Sequence, residues 1–322
     1  MKLAILGGGS CFALNLANLC EKLGIQHFGI GRSKRKEPAF WVVQNHYRYF
    51  QSHVVDELPA VMAILDTERP SVVVNIAAQG EGAASFDNRA PDFYRTNTWG
   101  LARLVEELRI RDWLKRFVHI GTTELYGSVQ AAAKEDSPLN PTSPYAISKA
   151  AFDQHLGTMF KIHGFPMNII RPSNAYTPGQ QLHRVIPKAI IHALNGKKFP
   201  LQGGGKSQKS YMHSTDLSRA ILAVLDKGTV GEIYNAGPLW PVSIGAVVGH
   251  VAESCGSSFE ELVEVVPDRV GQDGRYHIDS TKLRNIGWTP QINLVDGIKD
   301  MVMWVRTYPE LLKMDTSYVH KP

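Results

Sequence analysis

The amino-acid sequence predicts an α/β fold, with a doubly wound parallel sheet and a smaller C-terminal α/β lobe. Two observations carry this prediction. Short apolar runs alternate with helical patterns up to residue 175, and a glycine-rich turn follows the first of these runs. Such alternation is typical of parallel strands connected by helices that cover both faces of the sheet. The 322 residues, of which 43% are hydrophobic and 20% charged, suffice for one large domain or two smaller units.

The first half of the chain contains at least five predicted strand–helix units. Its predicted strands lie at residues 2–6, 25–30, 71–78, 116–122 and 167–174. A helical pattern of leucines follows the first glycine turn, and further helices are predicted at 57–68, 96–110 and 143–160. The apolar runs are short and β-branched, so they fit buried strands better than helices.

The second half has a different character. Helices are predicted at 185–197 and 214–228, a loop-rich stretch at 200–214, and a polar segment with buried anchors at 268–290. We therefore predict a dinucleotide-binding domain at 1–175, with a contribution from 211–237, and a substrate-binding lobe at 176–322. Because no flexible linker separates them, we expect one rigid body with a cleft between the two lobes.

Charge and cysteine content limit the cellular compartments and the kinds of partner that we expect. Three scattered cysteines are too few for a disulfide framework or a zinc site, and no run of 18 apolar residues could span a membrane. The N-terminus lacks a leader-type cleavage site, so we expect a cytoplasmic protein. The net charge is +5, but most of the basic residues are dispersed along the chain, which argues against a nucleic-acid surface. The dense basic cluster at 31–38 instead favours a local anion site.

The glycine turn is the first candidate site. Gly7, Gly8 and Gly9 lie between a strand and a helix, where glycine lets backbone N–H groups approach a pyrophosphate. The spaced dinucleotide pattern has glycine at two later positions, which are Ser10 and Ala13 in this chain. Both are small, so a binding turn and a purely structural β-turn remain open. The candidate cofactor residues here are Gly7, Gly8, Gly9, Ser10, Cys11 and Phe12.

The end of the second predicted strand bears on cofactor choice. An acidic residue at this place suits the ribose hydroxyls of NAD, whereas an arginine suits the 2′-phosphate of NADP. The chain has Arg32 and Ser33 followed by Lys34 and Arg35, without an acid. We therefore favour NADP, with NAD as the alternative. A solvated basic loop is the structural interpretation of the same residues.

A tyrosine–lysine pair is the strongest catalytic signal. Tyr145 and Lys149 are four residues apart in a helical stretch, so they share one face. A lysine ammonium favours the phenolate form of a nearby tyrosine, which lowers the phenol pKa. Tyr145 could then accept a proton from a substrate hydroxyl. The pair follows a strand that ends in Thr122, which makes the pattern more specific than the spacing alone.

These motifs resemble the extended short-chain dehydrogenase/reductases, in the group of nucleotide-diphosphate-sugar epimerases and dehydratases with a Rossmann sheet. The resemblance covers nearly the whole chain and is greatest to the 4,6-dehydratases. The matching segments are residues 75–100, 135–154, 171–180, 185–221 and 266–290. In the dTDP-glucose enzymes the segment at 122–124 reads Thr-Asp-Glu, and in the GDP-mannose enzymes Thr-Ser-Glu. The sequence GTTELYGSVQ is closer to the second group.

The resemblance implies a role for each residue at 122–124. Thr122 would bind the C4 hydroxyl together with Tyr145, and oxidation of C4 to a ketone would acidify the C5 proton. Glu124 would then abstract that proton while the C6 hydroxyl leaves as water, before hydride returns to C6. Thr123 replaces the aspartate that protonates the leaving group in the dTDP-glucose enzymes. Either Glu124 serves C5 and C6 in turn, or Thr123 relays a proton through water.

Further positions carry over from the resemblance. The implied substrate-binding residues are Ser85, Asn174, Lys209 and Arg275. The implied cofactor-binding residues, besides the turn, Arg32 and Ser33, are Ala77, Ala78, Gln79, Asn97, Tyr145, Lys149, Arg171 and Pro172. Valine stands where the segment at 52–61 should carry the first acid of a pair near the adenine. His53, His119 and His213 have no metal-ligand spacing, so we predict no metal and treat them as incidental.

Several functions remain open. A nucleotide-sugar 4,6-dehydratase leads; a 4-epimerase or C4 reductase needs the tyrosine–lysine pair but no carboxylate. A decarboxylase of nucleotide-linked uronic acids also carries Thr-Ser-Glu, and a non-catalytic dinucleotide-binding protein fits the altered glycine turn. The expected partner is a nucleotide-diphosphate sugar, with neither nucleic acid nor membrane. By resemblance, the helical stretches at 98–110 and 147–163 would pair in a homodimer.

Overall fold

The structure is a computed structural model, and it describes residues 1–35, 37–42, 47–80, 83–268 and 273–320. Residue 36 of the basic cluster and residues 81–82 and 269–272 of the family-like segments lie outside the described residues. Among the described residues, no helix has the length and apolar character needed to cross a membrane.

The strands of the described ranges are short, as expected for a layered α/β protein. In chain order they are β1 (Lys2–Leu6), β2 (Gln26–Gly31), β3 (Tyr49–Gln51), β4 (Val72–Asn75), β5 (Arg116–Ile120), β6 (Met167–Pro172), β7 (Asn174–Tyr176), β8 (Phe199–Gln202), β9 (Gln208–Lys209), β10 (Tyr211–His213), β11 (Ile233–Ala236), β12 (Val242–Ser243) and β13 (Val263–Val266).

The α-helices connect these strands. They are α1 (Cys11–Lys22), α2 (Leu58–Glu68), α3 (Ala90–Tyr94), α4 (Leu101–Leu108), α5 (Pro144–His163), α6 (Val185–Leu194), α7 (Ser214–Lys227), α8 (Ile244–Cys255), α9 (Phe259–Leu262), α10 (Thr281–Asn285) and α11 (Leu294–Thr307). A π-helical segment, Arg95–Gly100, joins α3 to α4 without a break.

The central sheet has seven strands in the order β3-β2-β1-β4-β5-β6-β11, all of them parallel. The direction of winding reverses between β1 and β4, which is the place where ligands bind in open α/β sheets. The predicted doubly wound sheet is therefore confirmed. The strand β3 carries no clear sequence signal, since only three residues form it.

Two apolar layers cover the two faces of this sheet. One contains the buried sides of α2, α4 and α5, and the other those of α1 and α7. Both layers are built from strand residues that alternate between the faces, such as Ala4 and Leu6 on one side and Leu3 and Ile5 on the other. This alternation follows from the two-residue period of a strand.

A third apolar cluster forms the core of the C-terminal lobe. Here α6, α8 and α11 pack together with the parallel pair of β8 and β13. The stretch at 200–214, predicted to be rich in loops, contains three short strands instead. Their pairing partners lie far away in the chain, such as β7 for β10 and β12 for β9, so local sequence could not show them.

The C-terminal segment returns to the sheet domain after α11. A 3₁₀ turn at Pro309–Lys313 ends the lobe, and the chain then runs back to α3. There the ring of His320 lies 2.8 Å from Asp92 Oδ2, and the Tyr318 hydroxyl lies 3.0 Å from His320 Nδ1. This returning segment, residues 314–320, links the two lobes across the mouth of the cleft between them.

The close packing of β2 against the buried Tyr47 predicts a large effect of one methyl group. A Cβ built on Gly29 would lie 1.9 Å from the Tyr47 hydroxyl oxygen, and that hydroxyl also bonds the Gly8 carbonyl oxygen. We expect Gly29→Ala to lower the free energy of unfolding by about 1–3 kcal/mol, as overpacking does in cores. Urea unfolding followed by circular dichroism measures this change.

The matched control is Gly157→Ala in the middle of α5, where the new Cβ meets no atom within 4 Å. Removing a helical glycine should raise the free energy of unfolding by about 0.5–1 kcal/mol. Equal stabilities of the two variants would contradict the packing argument.

Candidate active site

The candidate site lies along the carboxyl ends of β1, β4 and β5. A groove runs over the first glycine turn and the segment after β4, and a larger cleft opens between the sheet domain and the C-terminal lobe. Parallel strands bring their carboxyl ends to one edge, so residues distant in sequence meet there.

The glycine turn has the geometry of a phosphate-binding turn. Gly7 adopts φ +76°, and a Cβ at this residue would lie 2.7 Å from the Ala77 nitrogen. Ser10, which replaces a glycine of the spaced pattern, accepts a hydrogen bond from Ala13 N (3.3 Å) and caps α1. The turn therefore leads directly into the N-terminus of α1, a location that fits a dinucleotide pyrophosphate.

The groove gathers many of the predicted cofactor residues. Those lining it are Gly7, Gly9, Ser10, Arg32, Ser33, Ala77, Ala78 and Gln79. Asn97 lies behind this wall, where its amide accepts from Gln79 N (2.7 Å) and donates to the Gln79 carbonyl (2.9 Å). It thus holds the groove backbone in place from the π-helical segment, a location typical of functional positions.

The end of the groove beside β2 carries positive and polar groups. Arg32, Ser33 and His53 line it, and no carboxylate stands among its lining residues in the described ranges. The Tyr49 hydroxyl lies 2.8 Å from the Gly31 carbonyl oxygen and 2.6 Å from that of Ser33, and sharing its proton between them fixes the loop that carries the arginine. Such a set fits a phosphate through charge-assisted hydrogen bonds.

Val54 and Val55 both line this groove, and one of them stands where an acidic residue near the adenine was expected. His53, which was predicted to be incidental, lines the groove beside them. Burial and the charges of Arg32 and Arg95 lower the pKa of His53, although Asp56 opposes this shift. A neutral imidazole is therefore favoured at neutral pH.

The segment predicted to be catalytic follows β5. Thr122 is the N-cap of a 3₁₀ turn, Thr123–Tyr126, and its hydroxyl accepts from Glu124 N at 3.2 Å. This cap positions Glu124, which is partly exposed and lines the large cleft. Thr123 is only 4% exposed. The structure therefore places a carboxylate, and not the intervening threonine hydroxyl, at the cleft wall.

Tyr145 and Lys149 lie in the first two turns of α5. Ser143 caps this helix, and Pro144 occupies its first position, which suits helix initiation. Ser85, predicted to contact the sugar, accepts from Tyr145 N at 3.2 Å and is 1% exposed. It stabilises the start of α5, and its neighbours Ala84 and Phe86 line the cleft.

The ammonium group of Lys149 is buried. It donates to the Ile120 carbonyl at the end of β5 (2.7 Å) and lies 3.1 Å from His119 Nε2. Burial lowers the pKa of Lys149 to about 8, and the nearby Asp153 carboxylate limits this shift. The ammonium form predominates below that pH, and Tyr145 lies one helical turn earlier on the same face of α5.

Arg171, predicted to bind the cofactor, is 2% exposed and belongs to a buried network. Its guanidinium donates to Asp153 Oδ2 (2.9 Å), to the Tyr126 hydroxyl (2.7 Å) and to the Glu135 carbonyl (3.1 Å). These bonds hold the carboxylate that faces the lysine. They do not support the predicted cofactor contact of Arg171, although its indirect role in the site is clear.

The large cleft brings together residues from both lobes. Asn174 and Lys209, both predicted to bind the substrate, line it, and Lys209 Nζ lies 4.7 Å from the Tyr276 ring centroid. Two further cations, Arg184 and Lys188 of the α6 region, also line it, and sequence analysis missed both. Clustered cations in a cleft suit an anionic group such as a diphosphate.

Arg275, predicted to bind the diphosphate, occupies a different environment. Its guanidinium donates to the Gln130 carbonyl at 3.0 Å and lies 3.4 Å from His277 Nδ1. The following residue, Tyr276, lines the cleft. The predicted contact is thus not supported by the bonds of Arg275, which join the C-terminal lobe to the loop after Tyr126.

The returning segment contributes Thr316, Ser317 and Tyr318 to the cleft wall. Tyr318 packs edge-on against His183, with ring centroids 5.1 Å apart. Sequence analysis assigned no role to these residues, because nothing local signals that a C-terminal tail folds back. No group of three or more metal-ligating side chains is assembled within the part of the chain that the structure describes.

Comparisons with known proteins agree with this geometry. The model of the NAD dependent epimerase/dehydratase family matches residues 3–237. The chain is 34% identical over 265 residues to the dTDP-glucose 4,6-dehydratase of Streptomyces niveus, covering 81% of this chain and 76% of that protein. It is 33% identical over 272 residues to the human dTDP-D-glucose 4,6-dehydratase, covering 82% and 76%.

A longer plant protein also matches. It is the trifunctional UDP-glucose 4,6-dehydratase, 3,5-epimerase and reductase of Arabidopsis thaliana, 30% identical over 281 residues. The match covers 86% of this chain but only 42% of that protein.

Solved structures show the same fold. A dTDP-glucose 4,6-dehydratase of Streptomyces venezuelae with NAD bound superposes with a TM-score of 0.87 at 27% identity, covering 96% of this chain and 98% of that one. A UDP-glucose 4-epimerase of Thermus thermophilus in complex with NAD gives 0.86 at 25% identity, covering 96% and 100%. Fold, glycine turn, tyrosine–lysine helix and family match agree, and the chain belongs to the NAD dependent epimerase/dehydratase family.

Proposed function

We propose that this protein is a nucleotide-diphosphate-hexose 4,6-dehydratase that converts its substrate into a 4-keto-6-deoxy sugar with loss of one water. One observation carries the proposal: the Glu124 carboxylate lines the substrate cleft two residues after Thr122, beside the helix of Tyr145 and Lys149. The relatives named as 4,6-dehydratases support the same reaction.

The side chains divide the proton transfers among them. Tyr145, as a phenolate favoured by the Lys149 ammonium, takes the proton of the C4 hydroxyl, which Thr122 orients. The bound dinucleotide supplies the hydride acceptor and donor that this chemistry needs. Once C4 is a ketone, the C5 proton is acidic, and Glu124 removes it. The C6 hydroxyl leaves as water, so oxidation at C4 and reduction at C6 balance.

We assign both C5 and C6 proton transfers to Glu124. Thr123 cannot replace an aspartate as an acid, because a hydroxyl is far too weak, and it is nearly buried. A glutamate that has just gained the C5 proton is the acid required at C6. The alternative is a relay through Thr123 and water.

Substrate binding follows from the two lobes. Residues 1–175, with 211–237, form the dinucleotide-binding part, which supplies the groove and the catalytic segment. Residues 176–322 form the nucleotide-sugar lobe, in which Arg184, Lys188 and Lys209 face the diphosphate from the cleft wall. Asn174 contacts the sugar or the diphosphate at the boundary between the two parts.

NADP is the cofactor that the groove favours, with NAD as the alternative. Arg32 and Ser33 line its end beside β2, where the described residues provide no carboxylate for a ribose 2′-hydroxyl. The solved relatives carry NAD, which makes the residues at this end the point at which this chain would differ from them.

A homodimer is also part of the proposal. Trp99 and Ile147 are 52% and 41% exposed, and they lie on the neighbouring π-helical segment and α5. Large apolar side chains exposed on adjacent helices suit a helix–helix interface. Two copies pairing these helices would form a four-helix bundle.

Water loss distinguishes the candidate functions. Incubation with a panel of nucleotide-linked hexoses should give a product lighter by one water, detected by mass spectrometry, without net consumption of dinucleotide. A product of unchanged mass would instead identify a 4-epimerase, and net oxidation of reduced cofactor would identify a C4 reductase. Absence of any turnover would support a non-catalytic binding protein.

Glu124→Gln should abolish elimination, because the amide can neither accept the C5 proton nor return it to C6. We expect water loss to fall by about 10²–10⁴-fold, the usual contribution of a general base, while bound cofactor is still reduced by substrate. Rapid-scan absorbance at 340 nm and mass analysis of the product measure the two steps. Undiminished dehydration would remove Glu124 from the mechanism.

The matched control is Thr123→Val, which keeps the size of the side chain and removes its hydroxyl. If Glu124 serves both carbons, this variant dehydrates at close to the wild-type rate. A loss comparable to that of Glu124→Gln would show that Thr123 relays the second proton.

Arg32→Gln should weaken NADP binding selectively. A lost charge-assisted hydrogen bond to phosphate corresponds to about 1.5–3 kcal/mol, so Kd for NADP should rise at least tenfold while Kd for NAD changes little. Calorimetric titration of both nucleotides measures this. Lys161→Gln, an exposed site on α5, controls for net charge. An equal loss of both affinities would argue for NAD, as would NAD alone co-purifying with the protein.

The dimer proposal predicts a sedimentation-equilibrium mass of twice the 35.7 kDa chain. Trp99→Glu places a charge in the proposed bundle and should shift the protein towards the monomer. Met303→Glu, at an exposed site on α11 distant from that bundle in sequence, is the control. A wild-type monomer at micromolar concentration would contradict the proposal.

A further inference from the structure

The catalytic lysine has an unusual neighbour. His119 lies on β5, is fully buried, and presents Nε2 at 3.1 Å from Lys149 Nζ. Its other nitrogen, Nδ1, is 2.9 Å from the side-chain amide of Asn75 at the end of β4. The Phe152 ring packs edge-on against the imidazole, with centroids 4.7 Å apart, and fixes its plane.

The protonation states in this chain of contacts are constrained by chemistry. Burial and the Lys149 charge lower the pKa of His119 well below its ordinary value, so the ring is neutral. A neutral ring has one N–H and one acceptor nitrogen. To accept from an ammonium, Nε2 must carry the lone pair, which places the proton on Nδ1.

That tautomer requires an acceptor from Asn75. The Asn75 Oδ1 atom is buried without a hydrogen-bond partner, and either orientation of the amide leaves one of its atoms unpaired. Amide oxygen and nitrogen are assigned from the hydrogen-bond network. The orientation with Oδ1 towards His119 Nδ1 satisfies the ring, and the ring then accepts from Lys149.

We propose that Asn75 and His119 are positioning residues that hold Lys149 as an ammonium one helical turn from Tyr145, with His119 Nε2 as a neutral acceptor. The groups around the ammonium come from β5, β6 and α5: the Ile120 carbonyl, His119, and the Asp153 carboxylate paired with Arg171. Asp153 Oδ1 lies 3.9 Å from His119 Nε2 and has no hydrogen-bond partner. Its negative charge is a second support for the ammonium.

The inference rests on the proposed use of Lys149 but not on the choice of dehydratase chemistry. Every reaction considered for this site needs the lysine charged. A direct measurement of lysine ionisation therefore tests it without any substrate, and its failure is distinguishable from failure of the proposed function.

The test compares His119→Leu, which removes the acceptor, with His119→Gln, which places an amide oxygen near the position of Nε2. NMR of protein labelled with ¹⁵N at lysine Nζ, with the signal assigned through Lys149→Met, follows ionisation directly. We expect the titration midpoint of Lys149 to fall by about one unit in His119→Leu, a tenfold change in proton affinity. In His119→Gln it should stay close to the wild type.

Activity gives a second readout. The alkaline limb of the kcat profile, where Lys149 loses its proton, should move to lower pH by about one unit in His119→Leu. KM for the sugar should remain unchanged, and His119→Gln should restore the profile. A merely structural role would reduce activity at all pH values without moving the limb.

Asn75→Leu provides an independent variant if His119→Leu fails to fold, as judged by circular dichroism. This substitution removes the acceptor for the Nδ1 proton of His119, so the imidazole can also place its proton on Nε2. The titration midpoint of Lys149 should then fall, by a smaller amount than in His119→Leu. An unchanged midpoint in folded His119→Leu or Asn75→Leu would overturn the proposal. A lowered Lys149 midpoint in His119→Leu, together with a wild-type pH profile in His119→Gln, would support it.

Discussion

The whole site is organised around one positive charge removed from water. A buried ammonium requires partners, since an unpaired charge in the interior is strongly unfavourable. Lys149 donates a hydrogen bond to the carbonyl that ends β5. The Asp153 carboxylate also attracts the ammonium, although it is hydrogen-bonded to Arg171. The end of β5 and helix α5 must therefore keep their relative positions if Tyr145 is to act as a base, the role proposed for it.

This requirement explains why several polar residues lie inside the sheet domain. Arg171 and Tyr126 bind one another and extend the network to Asn235 of β11, whose amide oxygen accepts from the Tyr126 hydroxyl. The last strand of the sheet is thereby connected to the 3₁₀ turn at Thr123–Tyr126. Such networks are stabilising only when nearly every member is satisfied, which makes their positions specific.

The sequence predicted the sheet, the glycine turn and the tyrosine–lysine helix, because each leaves a local pattern of spacing or periodicity. Thr122 and Glu124 were indicated by the resemblance of their segment to the 4,6-dehydratases, and the structure adds the cap that joins them. Sequence analysis failed where function depends on contacts between distant segments. Ser85 and Arg171 bond to protein groups that their neighbours in sequence do not reveal, and His119 was set aside because only the fold shows what it touches.

The same limit applies to the cleft. Arg184 and Lys188 lie on a helix that looks ordinary in sequence, and Tyr318 reaches the cleft only because the chain turns back after α11. Sequence patterns identify residues that belong to one helix or strand. They do not identify residues from distant segments that line the same cleft.

The returning segment has a consequence for the motion of the two lobes. His320 is bound to Asp92 on α3, and its ring packs against Phe93, which in turn packs against Tyr145. The C-terminal lobe is therefore attached to the sheet domain at a second point, close to the tyrosine of α5. Any separation of the lobes that widens the cleft has to break these contacts or carry α3 along.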